Sequence, residues 1–175
     1  MKRVLFPGRF QPFHKGHLTA VKKLLEEFDE VVVLIGSAQE GFTCRNPFTA
    51  GERVEMITRL FKEESIFDKS WLIPVPDLHM PMAWTTHVLS IVPRIDSVAS
   101  GNPHILYLFK WLGLNTIRVQ LVEPERYRGE YIRRLIAEGS SEWRLLVPEA
   151  IAGFIEEIGG VERIREVCRS EHTRG

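Results

Sequence analysis

Several features are scarce or missing in this chain, and each absence narrows the choice. Only two of the 175 residues are cysteine, Cys44 and Cys168. Their spacing is not that of a zinc ligand set, and two are too few for a disulfide framework. A reduced pair in a cytoplasmic protein is therefore the expectation. No stretch approaches the roughly 20 apolar residues that span a bilayer. The first apolar run, in "MKRVLFPGRF", is too short for a secretory signal. A surplus of one charge is also missing: Lys plus Arg number 23 and Asp plus Glu number 23. That removes the ground for a general nucleic-acid or membrane-surface binder, so only local basic clusters are left to act on anions. Internal repeats and low-complexity linkers are absent. So are the Gly-Lys-Ser/Thr of a phosphate-binding P-loop and the G-x-G-x-x-G of a dinucleotide fingerprint.

What is present is an ordinary globular composition, 44% hydrophobic and 26% charged. A chain of this length and composition buries a core without staples, and residues 1–175 are expected to form one domain. Strand signals fall at "RVLF" (3–6), "EVVVLIG" (30–36), "WLIPVPD" (71–77), "IDSVAS" (95–100) and "TIRVQLV" (116–122). The second is continuous and β-branched, which predicts a strand buried on both faces. Helical spacing or helix-forming composition covers 17–28, 46–64, 83–92, 101–113 after a short loop, 131–139, 148–160 and 161–170. Thr49 is the expected N-cap of the second helix, with Glu52 completing a capping box. The closing "SEHTRG" is expected to fray. Trp71, Trp111 and Trp143 are read as packing residues, and His104 and His172 carry no signal. The alternation predicts an α/β fold: a parallel sheet of about five strands, helices on both faces, and C-terminal helices (140–170) packed on it. In such sheets ligands bind beyond the carboxyl ends of the strands.

"GRFQPFHKGH", residues 8–17, lies at that end, between the first strand and the first helix. Gly8 lets the chain turn with its backbone close to a ligand. Pro12 stiffens the loop. Gly16 opens the helix without bulk, where backbone N–H groups and the helix dipole favour an anion. His14 and His17, three apart, can face the same way and donate to phosphate; protonated, they would also neutralise charge on a bridging or leaving oxygen. Two other readings stand beside this one. A zinc site would need a third ligand, and no further His or Cys is suitably spaced. A purely structural pair needs no partner at all.

This motif resembles the G-x-F-x-P-x-H-x-G-H signature of the nucleotidyltransferase superfamily. "IGSAQEGFTCRNPFTAGERVEMI", the aspartate and tryptophan of "PVPDLHMPMAWTTHV", the "SGNP" turn and the closing "GGVERI" are similar to archaeal nicotinamide-nucleotide adenylyltransferases. The resemblance covers nearly the whole chain. It implies a Rossmann-like nucleotidyltransferase fold and the joining of nicotinamide mononucleotide to ATP, giving NAD and pyrophosphate. It also implies a magnesium ion held mainly by ATP phosphates rather than by a protein cage. By position, Arg9, His14 and His17 match phosphate-binding residues, within a motif that includes Gly8, Phe10 and Gly16. Gly36 and Ser37 fall where substrate approaches backbone, and Arg45 is expected to contact phosphate. Asp77 and Trp84 match the nicotinamide pocket, where an indole face suits a cationic ring; a core role for Trp84, at the start of an apolar helix, is the alternative. Gly101 and Asn102 match the turn around adenosine. His79 and His87 lie near Trp84 but match no motif. Relatives of this kind commonly assemble, so a homo-oligomer is expected, with no nucleic-acid or membrane partner.

The pattern breaks in two places. The second superfamily motif, usually I-S-G-T-x-I-R, reads "YRGEYIR" (127–133) here. Gly129 and Arg133 are kept, while Arg128 and Glu130 replace the hydroxyl residues. A glutamate would repel phosphate at close range unless it turns to Arg128 or Arg134 or caps its own helix. Pro81 stands where the family often has Asn, and it cannot make an amide's hydrogen bonds. Three readings follow: the nicotinamide enzyme with altered phosphate contacts, an adenylyltransferase for another acceptor such as FMN or phosphopantetheine, or a nucleotide binder with little turnover.

Overall fold

The run "EVVVLI" makes an interior strand of the sheet because every second residue can be buried on either face. In the computed structural model, which describes residues 1–120 and 122–172, it is β2 (Glu30–Ile35), with Val31 to Ile35 fully buried. Val31, Val33 and Ile35 enter one core with Val4 and Phe6 of β1 (Arg3–Gly8). Val32 and Leu34 enter a second core with Leu5. The side-chain alternation of a strand thus divides one apolar run between two layers of helix. Each fully buried Val or Leu of this kind contributes about 1.5–3 kcal/mol.

The other strands are β3 (Ser70–Pro74), β4 (Ser97–Ser100) and β5 (Asn115–Arg118), giving one five-stranded, all-parallel sheet of order β3-β2-β1-β4-β5. The first core takes α1 (Lys15–Glu27), α2 (Ala50–Glu63), α5 (Gly129–Ala137), α6 (Glu149–Glu157) and α7 (Gly160–His172). The second takes α3 (Pro81–Ile91) and α4 (Pro103–Trp111). The strand order turns at β1–β4, which opens a crevice beyond the carboxyl ends of β1, β2 and β4.

Thr49 caps α2 as the sequence predicts, exchanging hydrogen bonds with Glu52, which in turn pairs with Arg163 of α7 at 2.6 Å. Pro81 finds its reason at the first turn of α3, where its missing N–H costs nothing. Other expectations need correction. β5 ends at Arg118 rather than running to 122, because an edge strand has no second partner to extend it; position 121 lies outside the described residues. Residues 170–172 are helical rather than frayed, and Glu171 accepts a hydrogen bond from the Cys44 N–H at 2.8 Å; residues 173–175 lie outside the described residues. Trp143 is buried as expected, but Trp111 is 71% exposed beside Tyr107, and Trp71 lies near the surface with its indole N–H on Glu30.

The largest correction concerns cysteine. Cys44 and Cys168 form a disulfide across 124 positions of sequence. Their spacing carried no such signal, since only the packing of α7 against the loop after β2 brings them together.

Candidate functional site

The loop after β1 turns sharply into α1. Phe10 adopts a left-handed φ of 53°, and its ring lies so close to Gly8 that a Cβ there would meet it at 2.7 Å. Only glycine tolerates that contact. Gln11 is buried and bonds both backbone groups of Phe48, tying this loop to the one before α2. The Gln11–Pro12 bond is cis.

His14 is the N-cap of α1. Its Nδ1 accepts from the His17 N–H, and the His17 Nδ1 accepts from the His14 N–H, a capping box built from two imidazoles stacked at 3.5 Å. Burial lowers His14 to about 3 and holds His17 well below its ordinary value, with the neighbouring His14 adding to the latter. Both rings are therefore neutral near pH 7. Neutral rings keep the donor role and do not supply an imidazolium charge at the helix start. Because each Nδ1 is an acceptor, each proton sits on Nε2, so both rings carry an Nε2–H donor. Only His17 reaches the crevice; His14 lies buried behind it.

That crevice is a cavity of about 570 Å³ at the strand ends. Gly8, Arg9, His17, Gly36, Ser37, Arg45, Asp77, Trp84, Gly101 and Asn102 all line it, ten residues singled out from the sequence. A Cβ on Gly36 would meet only the Gly8 carbonyl, at 3.7 Å, so the protein itself does not demand glycine there. Ser37, with φ 49°, donates through N–H and Oγ to Asp77, whose carboxylate Gln39 also holds. Trp84 packs edge-on against Phe109, and its indole N–H is buried with no acceptor among the described residues. Such an orphan costs about 1–3 kcal/mol, which suits a residue kept for a ligand better than one kept for stability. Asn102 caps α4 at the cavity rim.

A second cavity, of about 590 Å³, shares Arg9 and Arg45 with the first and adds Arg133, Arg134, Glu130 and the disulfide. Arg133 is buried; its Nε donates to the Cys44 carbonyl at 3.0 Å and its Nη1 to the Gln11 carbonyl at 2.7 Å. Burial lowers it to about 10, with Arg9 the next cause, so it stays charged near neutrality. Glu130 faces these arginines rather than turning aside: Arg128 pairs with Glu125, and Arg134 lies over the Tyr131 ring.

Five residues matched by motif do not line either cavity. Phe10 packs against His17 and Phe13, His14 caps α1, and Arg128 is exposed. Gly16 and Gly129 allow close approach instead: a Cβ on Gly16 would meet Tyr127 at 3.0 Å, and one on Gly129 the Gln11 carbonyl at 3.0 Å. These contacts dock the second motif onto the first. Arg53 and Gln11, which bind the loops from behind, were not singled out from the sequence.

Among the described residues no cluster of three or more His, Cys, Asp or Glu could hold a metal ion. No helix among them is long and apolar enough to cross a membrane. The cytidylyltransferase-like family model matches residues 5–134. A nicotinamide-nucleotide adenylyltransferase of Ignicoccus hospitalis is 45% identical over 170 residues, 97% of this chain and 99% of that one. A protein of Aeropyrum pernix, described only as uncharacterized, is 47% identical over 165 residues, 93% of this chain and 96% of that one. A bifunctional NMN adenylyltransferase/ADP ribose pyrophosphatase from Francisella tularensis, solved with AMP and a manganese ion, has the same fold at TM-score 0.79 and 20% identity. That match covers 98% of this chain, which spans 53% of the bifunctional protein.

Proposed function

The chain belongs to the cytidylyltransferase-like family, among the relatives of archaeal nicotinamide-nucleotide adenylyltransferases, and on that premise we propose that it joins nicotinamide mononucleotide to ATP, releasing pyrophosphate and forming NAD. One observation carries the reading. Arg9 and Arg45 belong at once to a cavity with an aromatic wall and to a cavity lined by arginines. The pair suits two nucleotides that meet through their phosphates. The pyridine ring lies by Trp84 and Asp77, the adenosine by Gly101 and Asn102, and the phosphate chain on Arg9, Arg45 and Arg133.

The 5′-phosphate of the mononucleotide is already a nucleophile, so attack on the ATP α-phosphorus needs no base from the protein. Catalysis reduces to alignment and charge neutralisation. The His17 Nε2–H donates to an α-phosphate oxygen of the transferred adenylyl group, and Arg9 and Arg45 offset charge as the pyrophosphate leaves. His14 holds His17 in the donating tautomer. A divalent cation, magnesium in this reading, would be held by the ATP phosphates rather than by the protein and would supply further neutralisation, since no three His, Cys, Asp or Glu side chains cluster among the described residues. Residues 1–175 act as one cytoplasmic domain, with the helices of 140–170 packed on it. The chain works as a homo-oligomer, for which Tyr107 and Trp111, 61% and 71% exposed on α4, offer an apolar face.

The test is pyrophosphate release from ATP and magnesium with nicotinamide mononucleotide, FMN or phosphopantetheine as acceptor. Release with the mononucleotide alone is expected. Release with another acceptor only, or ATP binding without any release, would overturn the assignment.

A further inference from the structure

Arg53 is fully buried in the first turn of α2, and no ion pair among the described residues accounts for it. Its guanidinium is spent on carbonyls. Nε donates to Thr49 at 3.3 Å, Nη1 to Arg9 at 2.7 Å and to Gly36 at 2.6 Å, and Nη2 to Ser37 at 2.9 Å. Arg9, Gly36 and Ser37 are all lining residues of the larger crevice. Arg53 therefore grips, from behind, the two loops that end β1 and β2.

Two of the strained positions of the molecule sit at this grip. Phe10, whose preceding carbonyl is held, has φ 53°, and Ser37, whose own carbonyl is held, has φ 49°. Left-handed backbone is disfavoured for both residue types. Hydrogen bonds from a charged donor are strong enough to hold it. The peptide between Arg9 and Phe10 is trans, so with its carbonyl drawn inward its N–H points away from Arg53. The cation also stays where it is: burial first and Arg9 next lower Arg53 only to about 10, with Asp77 opposing them. Near neutral pH it is a fixed positive charge behind the cavity wall.

We propose that Arg53 is a positioning residue of the adenylyltransfer site: it holds the β1 and β2 loops in their left-handed turns and supplies a charge that attracts phosphate without touching it. This rests on the function proposed above, but its binding part does not need turnover. The charged groups acting on Arg53 are Arg9, in the loop after β1, and Asp77, in the loop after β3.

The test uses Arg53→Lys and Arg53→Met in the full chain, each checked by circular dichroism and melting. Lysine keeps the charge but is neutralised far more readily by burial. Arg53→Lys should keep measurable activity at pH 6.5 and lose it as pH rises toward 9, where the parent chain shows no such loss. Arg53→Met, at a temperature where it is folded, should bind inorganic triphosphate at least tenfold more weakly at every pH. A parallel pH profile for Arg53→Lys, or triphosphate binding by Arg53→Met within threefold of the parent, would overturn the proposal. So would failure of both variants to fold with saturating ATP, which would make Arg53 purely structural. If the parent releases no pyrophosphate yet Arg53→Met still binds triphosphate more weakly, the function falls and the positioning role stands.

Discussion

Removing the Cys44–Cys168 bond is the most quantitative test of the fold. The closed loop spans 124 positions. In the chain-entropy treatment, freeing a loop of that size returns about 16 cal/mol/K to the unfolded chain, or about 5 kcal/mol at 25 °C. For a domain of this size each kcal/mol moves the melting temperature by about 2–4 °C, so the shift should be about 10–20 °C. The assay is scanning calorimetry with and without a dithiol reductant, beside a Cys168→Ser variant. The variant should melt with the reduced protein and ignore the reductant. A local effect should accompany the global one. Cys44 precedes Arg45, its carbonyl takes the Arg133 Nε–H, and its N–H is held by Glu171. Losing the tie to α7 should thus raise the KM for ATP severalfold at temperatures where the variant is folded, with kcat changed less. A shift under about 3 °C with both thiols shown to be free would refute the entropic reasoning. Two titratable thiols in the untreated protein would refute the bond itself.

Three further outcomes follow from the site. His17→Ala should lower kcat by about 10²–10³ with nucleotide affinity changed only a few-fold, since one donor to the reacting phosphate is lost; equal turnover would remove His17 from the chemistry. His14, lowered to about 3, binds a proton more weakly folded than unfolded. Its contribution is therefore intact above about pH 6.5 and lost on acidification toward 3, at about 1.4 kcal/mol per pH unit. His14→Asn keeps a capping oxygen and should flatten that slope in urea titrations at pH 4–7; an unchanged slope would place the acid sensitivity elsewhere. Glu130→Thr removes an anion from among Arg9, Arg45 and Arg133 and should lower the KM for ATP about threefold to tenfold, an effect of about 1 kcal/mol. A raised KM would instead mark Glu130 as a favourable contact.

The strand and helix alternation was legible because β2 is a continuous apolar run and α2 announces its cap at Thr49. The crevice was legible because its lining residues sit in loops, where glycine, arginine and histidine have little packing reason to occur together. His14 and His17 show how one visible pattern can carry two properties. Their spacing of three is also that of an N-cap and its reciprocal partner, the same spacing as Thr49 and Glu52. Recognising it would have separated the cap from the donor. Arg53 was hidden by its neighbours: in "AGERVEMITRLF" a charge in the first helical turn looks solvated, and only the folded loops supply its carbonyls. The disulfide was invisible for a related reason, since no local pattern reports that residue 168 packs over residue 44.

The carbonyl anchoring of Arg53 and Arg133 has an electrical consequence. Elsewhere arginines are matched by acids: Arg3 with Glu30, Arg59 with Glu55 and Glu157, Arg144 with Glu156, Arg163 with Glu52. The two buried guanidiniums are in no ion pair among the described residues, and Asp77 and Glu130 offset their field only in part. A chain of zero net charge is therefore locally polarised. Polyphosphates are drawn in by long-range steering, and their capture slows as ionic strength rises, even though the molecule as a whole migrates as neutral at pH 7.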